Sequence, residues 1–219
     1  MTRQPPAGVV FDCDGTLADT EPIAQASWTD VLDAFGYVPT EQDRRATLGR
    51  PYPVTFAHFA QRVPLGDPVS FRRRLRERFL TRFETELVLF DDAIGVLRAL
   101  VDAGVPVGVA SSSSRDHVLR VLERAEVVPV VGAVVGADDV DRHKPHPAPY
   151  LAAAAQLGVA PGRCAAVEDS DVGVASARAA GMFTVAVVRG HLPRAELSEA
   201  HRVVDRLTRA DLEADLRTH

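Results

Sequence analysis

From Phe90 onward the chain alternates short apolar runs with single amphipathic stretches, and this alternation restricts the fold more than any other feature. A helical stretch from about Ala93 to Ala103 is closed by Gly104 and followed by the apolar run Val105–Ala110. A second helical pattern, Arg115 to Ala125, carries Val118, Leu122 and Ala125 on one face, and the Val-rich run Val127–Val135 holds another strand. Ala148–Leu157 reads as helix up to Gly158, Cys164–Val167 as strand, Val172–Ala180 as helix up to Gly181, and Phe183–Val188 as strand. The tail from Pro193 has two weaker helical stretches around a short Val203-Val204 run. Strands joined by single helices specify an α/β fold, a doubly wound parallel sheet covered on both faces. Such sheets place their ligand beyond the carboxyl ends of the strands.

Upstream, Val9-Val10-Phe11 reads as a buried strand ending in Asp12-Cys13-Asp14-Gly15-Thr16. From Pro22 to about Leu89 the pattern turns helical and shows no strand signal. Ala24, Trp28, Val31, Leu32 and Phe35 form one apolar stripe closed by Gly36. Phe56, Phe59, Ala60 and Val63 form a second, and Phe71, Leu75, Phe79 and Phe83 a third. The expected organisation is a core of residues 1–21 and 90–219 with a helical domain, 22–89, inserted after the first strand.

The balance of residues excludes several function classes. A net charge of −5 gives no support to nucleic-acid binding. Met1–Gly8 lacks the apolar core of a signal peptide, and no apolar run is long enough to span a bilayer. Two cysteines, Cys13 and Cys164, make neither a disulfide framework nor a four-ligand zinc site, and both read as small buried apolar residues. The expectation is a soluble cytoplasmic protein, monomeric or weakly dimeric, without a nucleic-acid or membrane partner.

Four motifs fall at strand ends. In Asp12-x-Asp14 the two carboxylates, two residues apart, face one site, which is costly unless a cation or proton is shared. Magnesium relieves that repulsion and suits oxygen ligands. Gly15 permits a sharp turn and close approach of a phosphate to the backbone, which puts Gly15 and Thr16 on the substrate side. Ser111 and Ser112 open a serine run ahead of a helix, where free N–H groups and the dipole favour an anion, and Ser113-x-x-Asp116 has the form of a capping box. Lys144, stiffened by Pro145 and Pro147, is suited to neutralise both Asp12 and a transferring phosphoryl group. Glu168-Asp169 ends an apolar strand, where paired acids suit a metal or a general base. Helix capping is the plainer role there, and Ser170 or Asp171 could also supply it.

With these motifs in this order, the sequence resembles the haloacid dehalogenase superfamily, in the branch of β-phosphoglucomutase-like phosphatases with a helical cap after the first strand. The resemblance covers nearly the whole chain. It implies that Asp12 attacks phosphorus and that Asp14 acts as general acid and then base. It further implies that Ser111 holds the phosphate and that Lys144 bridges nucleophile and phosphate. Mg²⁺ would be bound by the Asp12 carboxylate, the Asp14 main-chain carbonyl and Asp169, with Glu168 on a metal-bound water. The cap would exclude bulk water and grip a small phosphorylated substrate. Two departures stand out. The Pro-Gly turn common in relatives is replaced by Phe90-Asp91-Asp92-Ala93, expected to alter only a surface turn. The hinge histidine that β-phosphoglucomutases place after their Asp-Thr pair corresponds to Ala24, counting from Asp19-Thr20, which weighs against mutase activity.

The expected function is therefore Mg²⁺-dependent hydrolysis of a phosphomonoester. A phosphomutase is the alternative on the same site. Superfamily dehalogenases lack a second aspartate two positions on, so Asp14 argues against dehalogenation. A phosphoacceptor signalling domain needs about half this length and leaves the helical insert without purpose. Arg50, in Leu48-Gly49-Arg50-Pro51, falls in a cap loop where relatives contact substrate, and a solvated surface arginine is the alternative reading. Arg72, Arg73, Arg74, Arg76, Arg78 and Arg82 read as a solvated helix face. The seven histidines show no metal-ligand spacing.

Overall fold

The computed structural model describes residues 3–47 and 52–215. The chain divides into two compact units, Met1–Ala18 together with Leu89–His219, and Asp19–Val88.

The first unit is built on six parallel strands: β1 (Gly8–Phe11), β2 (Val107–Ala110), β3 (Ala133–Val135), β4 (Cys164–Glu168), β5 (Phe183–Val187) and β6 (Arg202–Val204). Their spatial order is β3-β2-β1-β4-β5-β6. The connections run outward in opposite directions on either side of β1, so the crevice at its carboxyl end lies at the topological switch point, where doubly wound sheets bind ligands. Val9, Val10 and Phe11 are wholly buried, as a central parallel strand covered on both faces requires. Register pairs Val9 with Val107 and Phe11 with Val167, bringing the ends of β1, β2 and β4 level.

The covering helices follow the apolar periodicity. Asp91–Asp102 buries Ala93, Ile94, Leu97 and Leu100, and Arg115–Arg124 buries Val118, Val121 and Leu122. Ala148–Leu157 packs Tyr150, Ala153 and Ala154 against Val10, Ala110, Val135 and Ala166. Asp171–Ala179 buries Val174 and Ala177. Two strands are shorter than their apolar runs. Pro106 has no N–H for a ladder, and β2 begins after it. Val128–Val130 closes into a 3₁₀ turn around Pro129, leaving Ala133–Val135 as the strand. The tail's helical stretches are single 3₁₀ turns, Arg194–Leu197 and Arg209–Leu212.

Among its described residues the second unit has four helices: Glu21–Asp33, Glu41–Thr47, Tyr52–Ala60 and Pro68–Glu86. Trp28 is its centre, with ring centroids 5.3–5.9 Å from Phe71, Phe59 and Tyr52. The Glu41–Thr47 helix has no apolar stripe and is held by a polar hub. Buried Asp43 accepts from Tyr37 Oη (2.7 Å), Thr40 Oγ1 (2.7 Å) and Thr40 N (2.9 Å) and pairs with Arg62 Nε and His58 Nε2. The Tyr37 hydroxyl and the other donors outweigh burial and hold the Asp43 carboxyl far below its ordinary value. Five of the six arginines on the Pro68–Glu86 helix are exposed, whereas half-buried Arg82 pairs with Asp30 and Glu86. The insert is not free of strand as expected, since Val88–Leu89 forms a two-residue one.

Candidate active site

At the end of β1 the backbone turns at once. Leu17 and Ala18 donate to the Cys13 carbonyl (2.8 and 3.2 Å), and Gly15 donates to the Ala18 carbonyl (2.8 Å). Gly15 has φ +83°, and a Cβ there would lie 2.0 Å from Asp169 Oδ2. Glycine is required twice at this position, for the conformation and for the approach of Asp169, the residue that follows β4.

Asp12, at the tip of β1, is 6 % exposed. Lys144 Nζ donates to Asp12 Oδ1 at 2.6 Å and to Glu168 Oε1 at 2.6 Å, and it lies 4.9 Å from the centroid of the Tyr150 ring. Glu168, at the end of β4, is fully buried. Its Oε1 also accepts from Tyr150 Oη (2.7 Å), and its Oε2 accepts from Ser170 Oγ (3.0 Å). Ser170 then caps the Asp171–Ala179 helix by accepting from Gly173 N. A Cβ on Gly173 would fall 1.8 Å from Glu168 Oε1, so this glycine makes room for the buried carboxylate.

Asp14 meets the other flank of the site. Its Oδ2 accepts from Ser113 Oγ (2.7 Å) and from Ser111 Oγ (3.3 Å), while Oδ1 pairs with His117 Nε2 (2.7 Å). Ser111 Oγ accepts from the Ser113 N–H (2.9 Å), and Ser112 is exposed in the same loop. The helix cap is Ser114, accepting from His117 N, and not the expected Ser113, whose hydroxyl is used by Asp14. Thr16 is buried, and its Oγ1 has no hydrogen-bond partner among the described residues. Arg50 lies outside the described residues.

The electrostatics are those of an acid-rich cluster. Asp12, Asp14, Glu168 and Asp169 converge, with Lys144 the buried ammonium among them. Burial, helped by Glu168 and Asp14, pushes Asp12 up to about 7 although Lys144 pulls the other way. Burial, then Asp12 and Glu168, raises Asp169 well above the ordinary range. Burial opposes the charge on Lys144, but Asp12 and Glu168 outweigh it and hold the ammonium above its usual value. The surplus is negative, as at a site that takes a cation. Carboxylate oxygens of Asp12, Glu168 and Asp169 lie within 4.8 Å of one another, and an all-oxygen set suits Mg²⁺. Cys13 Sγ, Asp14 and His117 are also mutually close, but burial and the Asp14 and Asp12 charges drive the Cys13 thiol upward. A protonated thiol is a poor ligand for a hard cation.

Three participants are not distinguished by the sequence, and a fourth, Ser113, is distinguished there only as a helix cap. Tyr150 is one residue in a helical run, His117 sits in an ordinary first turn, and Gly173, like Ser113 toward Asp14, acts through contacts that only the folded chain reveals. The Phe90–Ala93 segment is also more than a surface turn. Arg189 forks onto Asp92 (2.9 and 3.1 Å), and both side chains are buried. The Arg189 guanidinium lies 3.9 Å from the Phe90 ring centroid, and Asp92 also accepts from Leu207 N.

Residues 9–187 match the haloacid dehalogenase-like hydrolase family. Hexitol phosphatase A of Escherichia coli K12 is 34 % identical over 181 residues, 82 % of either chain. Phosphoglycolate phosphatase of the same strain is 30 % identical over 212 residues, 84 % of this chain and 82 % of the relative. A haloacid dehalogenase family hydrolase from Deinococcus radiodurans R1, solved with bound phosphate and sodium, superposes with a TM-score of 0.76 at 33 % identity, over 95 % of this chain and 93 % of that one. Among the described residues, no helix is long and apolar enough to cross a membrane.

Proposed function

This chain belongs to the haloacid dehalogenase-like hydrolase family, and we propose that it is a Mg²⁺-dependent phosphatase acting on a small phosphorylated metabolite through a phosphoryl-Asp12 intermediate. The observation that carries this reading is the contact of Lys144 with both Asp12 and Glu168 at the switch point of the sheet. A buried carboxylate beside a buried ammonium, ringed by further acids, suits attack on an electron-poor centre whose own charge must be neutralised.

In this mechanism an Asp12 oxygen bonds to phosphorus as the ester P–O bond breaks, and Asp14 gives its proton to the departing alcohol. Asp14 then takes a proton from water, whose oxygen bonds to phosphorus as the Asp12–phosphorus bond breaks. Lys144 offsets charge on Asp12 and on the phosphoryl group. Ser111 and the helix start behind it hold the equatorial oxygens, with Ser112, Gly15 and Thr16 lining the same approach. Asp12, Asp169 and the Asp14 carbonyl would hold the metal, with Glu168 beside them orienting Lys144. The metal supplies charge neutralisation as the phosphoryl group transfers.

Two kinds of phosphatase relative, one named for a hexitol and one for phosphoglycolate, support a small polyol or acid phosphate as substrate class. Ala24, standing where a mutase has its hinge histidine, favours water over a sugar hydroxyl as the second acceptor. The test is phosphate release from a panel of hexitol, hexose and small-acid phosphates with Mg²⁺ and with EDTA. Metal-dependent release supports the reading, and no release from any member of the panel overturns it.

A further inference from the structure

The serine loop and the first turn of the Arg115–Arg124 helix converge on a single carboxylate. Ser111 and Ser113 both contact Asp14 on Oδ2, whereas His117 reaches Oδ1, so the two oxygens are held from different sides. A carboxylate turns about its Cβ–Cγ bond, and fixing its plane takes a contact on each oxygen. His117 is well placed to supply the second. Its own backbone N–H is tied to the Ser114 cap at 3.4 Å, and its side chain is 15 % exposed. Against a carboxylate its Nε2 is the donor.

The hydroxyl of Ser111 serves two purposes in this arrangement. It bonds Asp14 here, and it is the group that would hold the phosphate in the proposed reaction. A substrate phosphate that takes the Ser111 hydroxyl removes one of Asp14's restraints at the moment Asp14 must aim its proton. The Oδ1 contact does not involve Ser111 and survives that exchange.

We infer that His117 is a positioning residue for Asp14, orienting the carboxyl group for proton transfer to the leaving alcohol while Ser111 is engaged by phosphate. This rests on the phosphatase reading and adds to it a residue outside the Asp12–Lys144 pair. The substitution His117→Ala removes the contact, and His117→Gln retains a side-chain N–H donor of similar reach.

A positioning role differs from a merely structural one in its dependence on the leaving group. p-Nitrophenolate departs without a proton, whereas the alkoxide of glycerol 2-phosphate needs one from Asp14. The experiment compares kcat/KM for both esters across wild type, His117→Ala and His117→Gln with Mg²⁺. The expected result is a fall of about 10- to 100-fold on glycerol 2-phosphate for His117→Ala, about 3-fold or less on p-nitrophenyl phosphate, and recovery of most of the loss in His117→Gln. Equal losses on both esters in a folded, active variant, or none on either, would overturn the role of His117 and leave the phosphatase reading standing. A wild-type protein that hydrolyses neither ester, nor any of the wider panel, overturns that reading and this inference together.

Discussion

Lys144 Nζ stands 2.6 Å from Asp12 Oδ1, joining two buried side chains that are 132 residues apart in sequence. The same ammonium is 2.6 Å from Glu168 Oε1, so one cation is shared between a carboxylate at the end of β1 and another at the end of β4. Breaking a buried ion pair costs more than the pair itself contributes, because the partner left behind has lost its solvation.

Replacing Lys144 by methionine is therefore expected to abolish phosphate release and to lower stability by about 3–5 kcal/mol, less whatever Asp12 recovers by protonation. Denaturant titration at neutral pH measures this. An unchanged unfolding midpoint would show that Lys144 is not the cation these carboxylates depend on.

The raised Asp12 and Asp169 carboxyls give metal-free stability a definite pH dependence. Below the ordinary value of 3.8 both folded and unfolded chains keep the Asp12 proton. Between 3.8 and about 7 the unfolded chain releases it while the folded protein retains it, so stability falls as pH rises through this window. Asp169, raised by the same burial and by Asp12, acts in the same direction. A cation binds the ionised forms, so Mg²⁺ should raise Tm more at pH 8 than at pH 5. Melting curves with and without Mg²⁺ across that range would show it, and a Mg²⁺ shift independent of pH would contradict it.

Gly173→Ala is a small change with a large expected effect. The added methyl would lie 1.8 Å from Glu168 Oε1, and Glu168 is locked by Lys144, Tyr150 and Ser170. Overpacking of this kind costs about 1–3 kcal/mol and displaces the carboxylate that orients Lys144. Activity and Tm should fall together. Wild-type values for both would mean that Glu168 has freedom the packing does not suggest.

The parts of the molecule legible in sequence are those written in apolar rhythm. Val9-Val10-Phe11 reads as a buried strand, and single helices between strands leave little choice but a parallel sheet with Asp12 at its carboxyl edge. The Glu41–Thr47 helix was illegible because its anchor is the polar Asp43 hub and not an apolar stripe. The Arg189–Asp92 pair was illegible for a related reason. An Asp-Asp pair before a helix reads as an exposed acidic first turn, and only the fold brings Arg189, 97 residues away, to bury one of the two. His117 and Tyr150 belong with these, since ordinary helical positions acquire a role through contacts 103 and 18 residues distant.

Hydrolysis and isomerisation part at the second half-reaction. With β-glucose 1-phosphate and a trace of the 1,6-bisphosphate, any turnover should yield inorganic phosphate in excess of glucose 6-phosphate. Alanine at position 24 cannot couple a hinge to a sugar intermediate as a histidine would. Efficient formation of glucose 6-phosphate with little free phosphate would assign the site to a mutase.

The central claim is that Asp12 carries the phosphoryl group during turnover, and it is tested most directly by trapping that species. The wild-type enzyme, mixed with Mg²⁺ and the best substrate of the panel and quenched in acid within one turnover, should carry one phosphoryl group on the peptide containing Asp12. Asp12→Asn should carry none and should lose at least about three orders of magnitude in rate. A phosphoryl group found on Ser111 or any other residue, or turnover by Asp12→Asn near the wild-type rate, would contradict the account.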